Sequence, residues 1–373
     1  MATQPTTKEL WLRFFDVDVK FGSDSPALLD LFGQAYARFQ INPAEARRRP
    51  YEFFVLSQPN QGRQPFLIIG RDVWPLPEPE LMPGYVFQRV TATIGAQVNS
   101  HLLFHAGAVT TGGRAVLLAG DSFHGKTTLV MELVRRGFKF LSDETAAVSR
   151  ASGQAAPFPC ALRVRPGSLK LAGFTPDAIT APEWFGKKIV DIEQLKDNSV
   201  GRAAPIGHVV VLRRPNETDT ASRDLVLVLD RVDDEFLADV KQIKGVSSLR
   251  VLERFQYPVI KLTADRRTLV YARIESLCDV HRILMLDIHT GAGTTPNFSG
   301  PADVRSITSS QATMELLQRF QGGFRSTVLQ ETGPTKLFLE MTRWLGAAKC
   351  FQLTTGPLPQ MADVICKLVG YAG

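Results

Sequence analysis

Ala115-Val116-Leu117-Leu118-Ala119 runs directly into Gly120-Asp121-Ser122-Phe123-His124-Gly125-Lys126-Thr127, with Thr128 next. The apolar run has strand length and suits a strand buried on both faces of a parallel sheet. The stretch after it matches G-x-x-x-x-G-K-[ST] in full, at Gly120, Gly125, Lys126 and Thr127. Binding phosphate oxygens takes close backbone N–H donors and a cation. Glycines let the backbone curl around the anion, and the following helix presents its N-terminus to it. In such a loop Lys126 reaches the β- and γ-phosphates of a nucleoside triphosphate, and the Thr127 hydroxyl ligates Mg²⁺.

The pattern continues outward as the chemistry requires. Residues 127–136 have helical periodicity, and Gly137 stands where a C′ glycine ends a helix. Residues 138–141 read as the next strand, closing on Ser142-Asp143-Glu144. Ligand sites of open α/β sheets lie at the carboxyl ends of strands, and phosphoryl transfer uses carboxylates there. His105, just before the apolar run, is placed to approach the phosphates. His124 fills a variable loop position and carries no specific signal.

On the N-terminal side, residues 10–19 have strand character. Ser25-Pro26 reads as a cap and first turn for a helix through residue 39, with Leu28, Leu31, Phe32, Tyr36 and Phe39 on one face. Residues 51–56 and 65–69 read as strands, and 84–100 as a helix. On the C-terminal side, residues 207–212 and 225–229 read as strands around a polar loop at 215–223. A glycine-rich linker spans 291–301, followed by helices at 310–320, 334–345 and 358–368. These boundaries suggest an N-terminal α/β region at 1–100, a core with insertions at 101–290 and a C-terminal helical region at 300–373.

Composition narrows the classes. The chain has 373 residues, 44% hydrophobic and 21% charged, as expected of a folded globular protein. No apolar run is long enough to span a membrane, and the N-terminus lacks a secretory pattern. Cys160, Cys278, Cys350 and Cys366 are dispersed, as free thiols of a cytoplasmic protein are. The net charge of +6 is spread over short basic runs without interleaved aromatics, which argues against a nucleic-acid surface.

At His105-Ala-Gly-Ala-Val, Gly120–Thr127, Arg136-Gly-Phe and Ser142-Asp-Glu144 the chain resembles the HPr kinase/phosphorylase family, particularly HPr-kinase-like relatives encoded with peptide-modification systems. The strong resemblance covers about residues 100–150, and weaker similarity reaches Pro157-Phe-Pro159 and Cys350-Phe-Gln-Leu353. It implies an α/β P-loop kinase core of HPr-kinase type that uses ATP and Mg²⁺. It further implies Asp143 as the base for a serine hydroxyl, His105 beside the transferred phosphate, and Glu144 with Thr127 at the metal. Tyr257–Arg267 is similar to the family's basic phosphate-gripping segment and offers Lys261, Arg266 and Arg267. Phe123 stands where the family has glycine, and Glu144 where it has aspartate. Leu162-Arg163-Val164-Arg165 holds no acid where the family's later metal-associated glutamate falls. These departures point to an acceptor other than HPr.

The resulting expectation is a kinase that transfers the γ-phosphoryl group of ATP to a hydroxyl, foremost a serine in a peptide or small protein. Two alternatives stay open: a small-molecule hydroxyl kinase on the same site, and a non-catalytic nucleotide-binding regulatory module. An oligomer is compatible with the sequence; nucleic-acid and membrane partners are not expected.

Overall fold

The computed structural model describes residues 8–47, 49–57, 65–76, 82–121, 124–184, 186–215, 224–252, 257–265, 267–283, 285–290, 298, 300–321 and 326–371. Ser122, Phe123 and Arg266 lie outside these residues, as do most of the 215–223 loop and the 291–301 linker. The described strands form four sheets in a mixed α/β arrangement.

The N-terminal sheet begins with a hairpin rather than one strand over 10–19. Lys8–Phe14 pairs antiparallel with Val17–Ser23, placing Leu12 opposite Val19. Neither Gly nor Asn marks the turn. Phe15 adopts φ 57° and stacks on His101, while the Asp16 carboxylate accepts bonds from Ser100. Tertiary contacts therefore hold a turn that local residue preference does not announce. The helix Pro26–Ala35 follows as its cap requires: the Ser25 side chain accepts from the Leu28 N–H, with proline in the first turn. Leu28, Leu31 and Phe32 are buried against the sheet, whose remaining strands are Tyr51–Leu56, Phe66–Ile69 and Asp72–Pro75.

The central sheet carries the glycine loop. Its strand Arg114–Ala119 pairs parallel with Ala204–Arg213 and antiparallel with Ala106–Thr111. The expected parallel environment is thus present on one side only. Ala106–Thr111 also pairs antiparallel with Lys139–Ser142, which brings the acidic strand end to the same region. The expectation of burial on both faces holds. Val116 and Leu118 pack with Leu129, Leu133, Met361 and Ile365 on one face. Leu117 and Ala119 pack with Leu316, Leu337 and Met341 on the other. All four strand side chains are fully buried, with Val116, Leu117 and Leu118 each contributing about 1.5–3 kcal/mol.

Residues 300–373 are not helical throughout. Ser309–Leu317, Pro334–Trp344 and Leu358–Val369 are helices, but Lys349–Thr354 is a strand pairing parallel with Ala204–Arg213. A separate four-stranded sheet (Asp224–Leu229, Val246–Leu252, Val259–Ala264, Met285–Thr290) packs its own core, including Leu227, Phe236, Ile260 and Ile274.

Candidate phosphate-binding site

The loop leaves Ala119 and returns to helical geometry at Gly125, which caps Lys126–Arg136 with φ 79°. Only glycine takes that backbone region without strain. At Gly120 the constraint is space: a Cβ would lie 3.1 Å from Leu212 Cβ and 3.3 Å from His124 Cβ. His124 is buried, and its Nδ1 accepts the Asp121 N–H at 2.6 Å. A position without specific signal in the sequence therefore occupies one of the loop's own amide donors.

Lys126 opens the helix and is 6% exposed. Its Nζ donates to the carbonyls of Gly120 (2.9 Å) and Asp121 (3.1 Å) and lies 3.2 Å from His105 Nε2. Burial lowers the lysine pKa to about 8. The Lys126 charge, followed by burial, pushes His105 down to about 3, so the imidazole is neutral and accepts from the ammonium. The structure thus brings together two residues that the sequence separates by 21 positions. Thr127 donates its hydroxyl to Asp143 Oδ2 at 3.1 Å, and Thr128 follows, half-buried, on the same helix.

The two acids are shifted in opposite directions. Asp143 is buried, and burial followed by the Glu144 charge raises its pKa above the ordinary carboxylate range. Glu144 is partly open to solvent and ion-paired with Arg163. Burial works to raise Glu144, but the Arg163 guanidinium outweighs it and holds the group below its usual range. Arg163 comes from the short strand Leu162–Val164, whose sequence offers no acid. Its charge occupies Glu144, the residue expected at a metal.

A second cation was also not anticipated. Arg319 lies 198 residues beyond Asp121, and its Nη2 donates to Asp121 Oδ1 at 2.6 Å. No spacing rule links such distant positions; only the pairing of the chain around them does. Gln321 Nε2 reaches Thr145 Oγ1 at 3.1 Å from the same segment. Lys261, expected near the acceptor, stands instead in the four-stranded sheet with its Nζ 3.0 Å from Asp224. Arg267 opens the helix Arg267–Val280 on that unit.

A strand, a glycine loop, a buried lysine at a helix start and an acid just past the end of the strand one place removed make up a candidate anion-binding site. No family model and no curated protein matches the chain. Among solved structures, the HPr(Ser) kinase/phosphatase from Coxiella burnetii aligns over 48% of this chain and 95% of its own, at 17% identity and a TM-score of 0.23.

Proposed function

We propose that this chain is an ATP-dependent phosphotransferase that moves the γ-phosphoryl group to a hydroxyl, foremost a serine of a peptide or small protein. One observation carries the proposal. The Thr127 hydroxyl of the loop helix and the Asp143 carboxylate are hydrogen-bonded, with the Lys126 ammonium on the preceding residue. In that reading the loop amides and Lys126 hold the β- and γ-phosphates. Asp143, its proton affinity raised by burial, takes the proton of the acceptor hydroxyl. The acceptor oxygen then bonds to the γ-phosphorus as the bond to the bridging β–γ oxygen breaks, leaving ADP. Neutral His105, beside Lys126, stands near the transferred group.

The residues fit a magnesium ion. The Thr127 hydroxyl would offer one hard oxygen donor at the helix start, and Mg²⁺ takes phosphate and water oxygens beside such a donor. Bound there, it supplies charge neutralisation at the phosphates. Among the described residues no group of three or more His, Cys, Asp or Glu gathers into an all-protein metal cage, so the ion depends on the triphosphate for its remaining ligands.

The Thr127–Asp143 bond favours one alternative allocation, with Asp143 beside the metal and Glu144 accepting the proton. Arg163 opposes it, because a carboxylate paired with a guanidinium is a poor base. The peptide-sized acceptor rests on the long segment that follows the acidic strand, part of which returns to close the site through Arg319 and Gln321. Incubation with γ-labelled ATP and a serine-peptide library, with hydrolysis measured in parallel, tests the proposal. Label in peptide serine is the expected result. Label appearing only as inorganic phosphate, with peptides and small hydroxyl compounds alike, would exclude it.

A further inference from the structure

Arg319 is almost wholly buried, and its guanidinium reaches from the end of the helix Ser309–Leu317 to the glycine loop. Nη2 holds the Asp121 carboxylate, while Nη1 donates to the Glu315 carbonyl and carboxylate, both at 2.7 Å. Its backbone carbonyl accepts the His105 N–H at 2.7 Å. Phe320 forms an antiparallel bridge with Phe104, and the Gln321 N–H donates to the Leu103 carbonyl at 2.8 Å. Glu315 is itself paired with Arg213 at the end of the strand beside the loop strand. Residues 319–321 therefore run as a strap along 103–105, with the guanidinium reaching over to Asp121.

Asp121 is the point where this strap meets Lys126. Its carbonyl accepts from the Lys126 ammonium, its N–H donates to His124, and its carboxylate is held by Arg319. A triphosphate entering the loop must draw Lys126 away from the Gly120 and Asp121 carbonyls. It must also meet an anionic side chain in a loop that receives several negative charges. A buried ion pair adds little net stability, because desolvation offsets most of its attraction. The arrangement is better explained by what it orients.

We propose that Arg319 is a positioning residue for triphosphate binding: it turns the Asp121 carboxylate away from the phosphate space and fixes the Asp121 peptide and His105 on either side of Lys126. The proposal rests on the nucleotide reading above. It makes the C-terminal strap part of the nucleotide site, so that loop geometry and the closing segment change together.

The test is the affinity of the full chain for Mg·ATP and Mg·ADP by calorimetry, with thermal unfolding followed alongside. The variants are Arg319→Gln, Arg319→Lys, Asp121→Asn and the double variant Arg319→Gln/Asp121→Asn. Loss of one charge-assisted bond on the positioning path should weaken ATP roughly 10- to 100-fold in Arg319→Gln. Arg319→Lys should recover part of that loss, and the double variant should bind no worse than Arg319→Gln alone. A structural role alone would lower the unfolding temperature and leave affinity unchanged, which overturns the inference. If Arg319→Gln does not fold, Arg319→Lys, which keeps the charge and loses the two-pronged geometry, decides it: weaker ATP binding is expected, and unchanged affinity overturns the inference. Wild-type protein that binds no ATP overturns the nucleotide reading and this inference together. Wild-type binding with unaltered variants overturns this inference alone.

Discussion

The Thr127 hydroxyl donates to Oδ2 of Asp143 at 3.1 Å, joining the first turn of the loop helix to the end of a strand that does not pair with the loop strand. Ala106–Thr111 lies between the two strands and pairs with both. The contact is therefore a product of sheet order. It places a buried carboxylate beside the residue that follows the buried lysine.

Asp143→Asn should leave ATP bound while phosphoryl transfer falls by about 10²- to 10⁴-fold, the usual worth of a general base. Glu144→Gln should cost less, since Glu144 keeps a permanent charge paired with Arg163. Single-turnover transfer in the two variants, each saturated with ATP, is the measurement. The reverse ranking would exchange the roles of the two acids.

The acid side of the rate profile should move with Glu144. Asp143 must be deprotonated to act, so activity rises with pH through its raised pKa. The Glu144 charge is the second cause of that elevation, after burial. Glu144→Gln removes the charge and leaves Arg163 free to favour the Asp143 anion. The acid limb of kcat should shift to lower pH, and an unmoved limb would show that the titrating group lies elsewhere.

Nucleotide binding should take up protons near neutral to mildly alkaline pH. Burial holds Lys126 at about 8 in the free protein, and phosphate favours its charged form. Affinity for ATP should therefore decline as pH rises through about 8. Calorimetry in buffers of different ionisation enthalpy reads the proton count directly. Lys126→Met should abolish the uptake.

The free protein should carry a stability cost at Asp143. A carboxyl whose folded pKa is raised binds its proton more tightly when folded. Stability is then lost as pH rises from the unfolded pKa through the folded one, and the loss persists above it. Asp143→Asn should raise the thermal midpoint of the nucleotide-free chain at neutral pH. The gain should vanish at pH 3, where Asp143 is protonated in the folded protein and largely so when unfolded.

Sequence reading succeeded where structure is local. The apolar run before Gly120, the helical period to Arg136 and the terminating Gly137 at φ 118° each act over a few residues. The Ser25 cap is legible for the same reason. Strand partners are not local. Nothing in residues 106–111 says that they separate the loop strand from the acidic strand, and nothing in residues 349–354 names Ala204–Arg213 as their parallel neighbour. The Phe15–Asp16 turn is held by His101 and Ser100, far along the chain. At the candidate site the loop pattern pointed to Lys126 and Thr127, and the acidic strand end pointed to Asp143, which the fold brings to hydrogen-bond distance of Thr127. The neutralising arginines Arg163 and Arg319 arrive through tertiary pairing and carry no motif.

The most direct measurement is equilibrium binding of labelled ATP, with magnesium present, to the wild-type chain and to Lys126→Ala. Lys126 is the buried cation aimed into the loop, so binding by the wild type and a loss of about tenfold or more in the variant is the expected result. Equal affinity in the two proteins, with both folded, would contradict the assignment of the glycine loop as the site of the triphosphate.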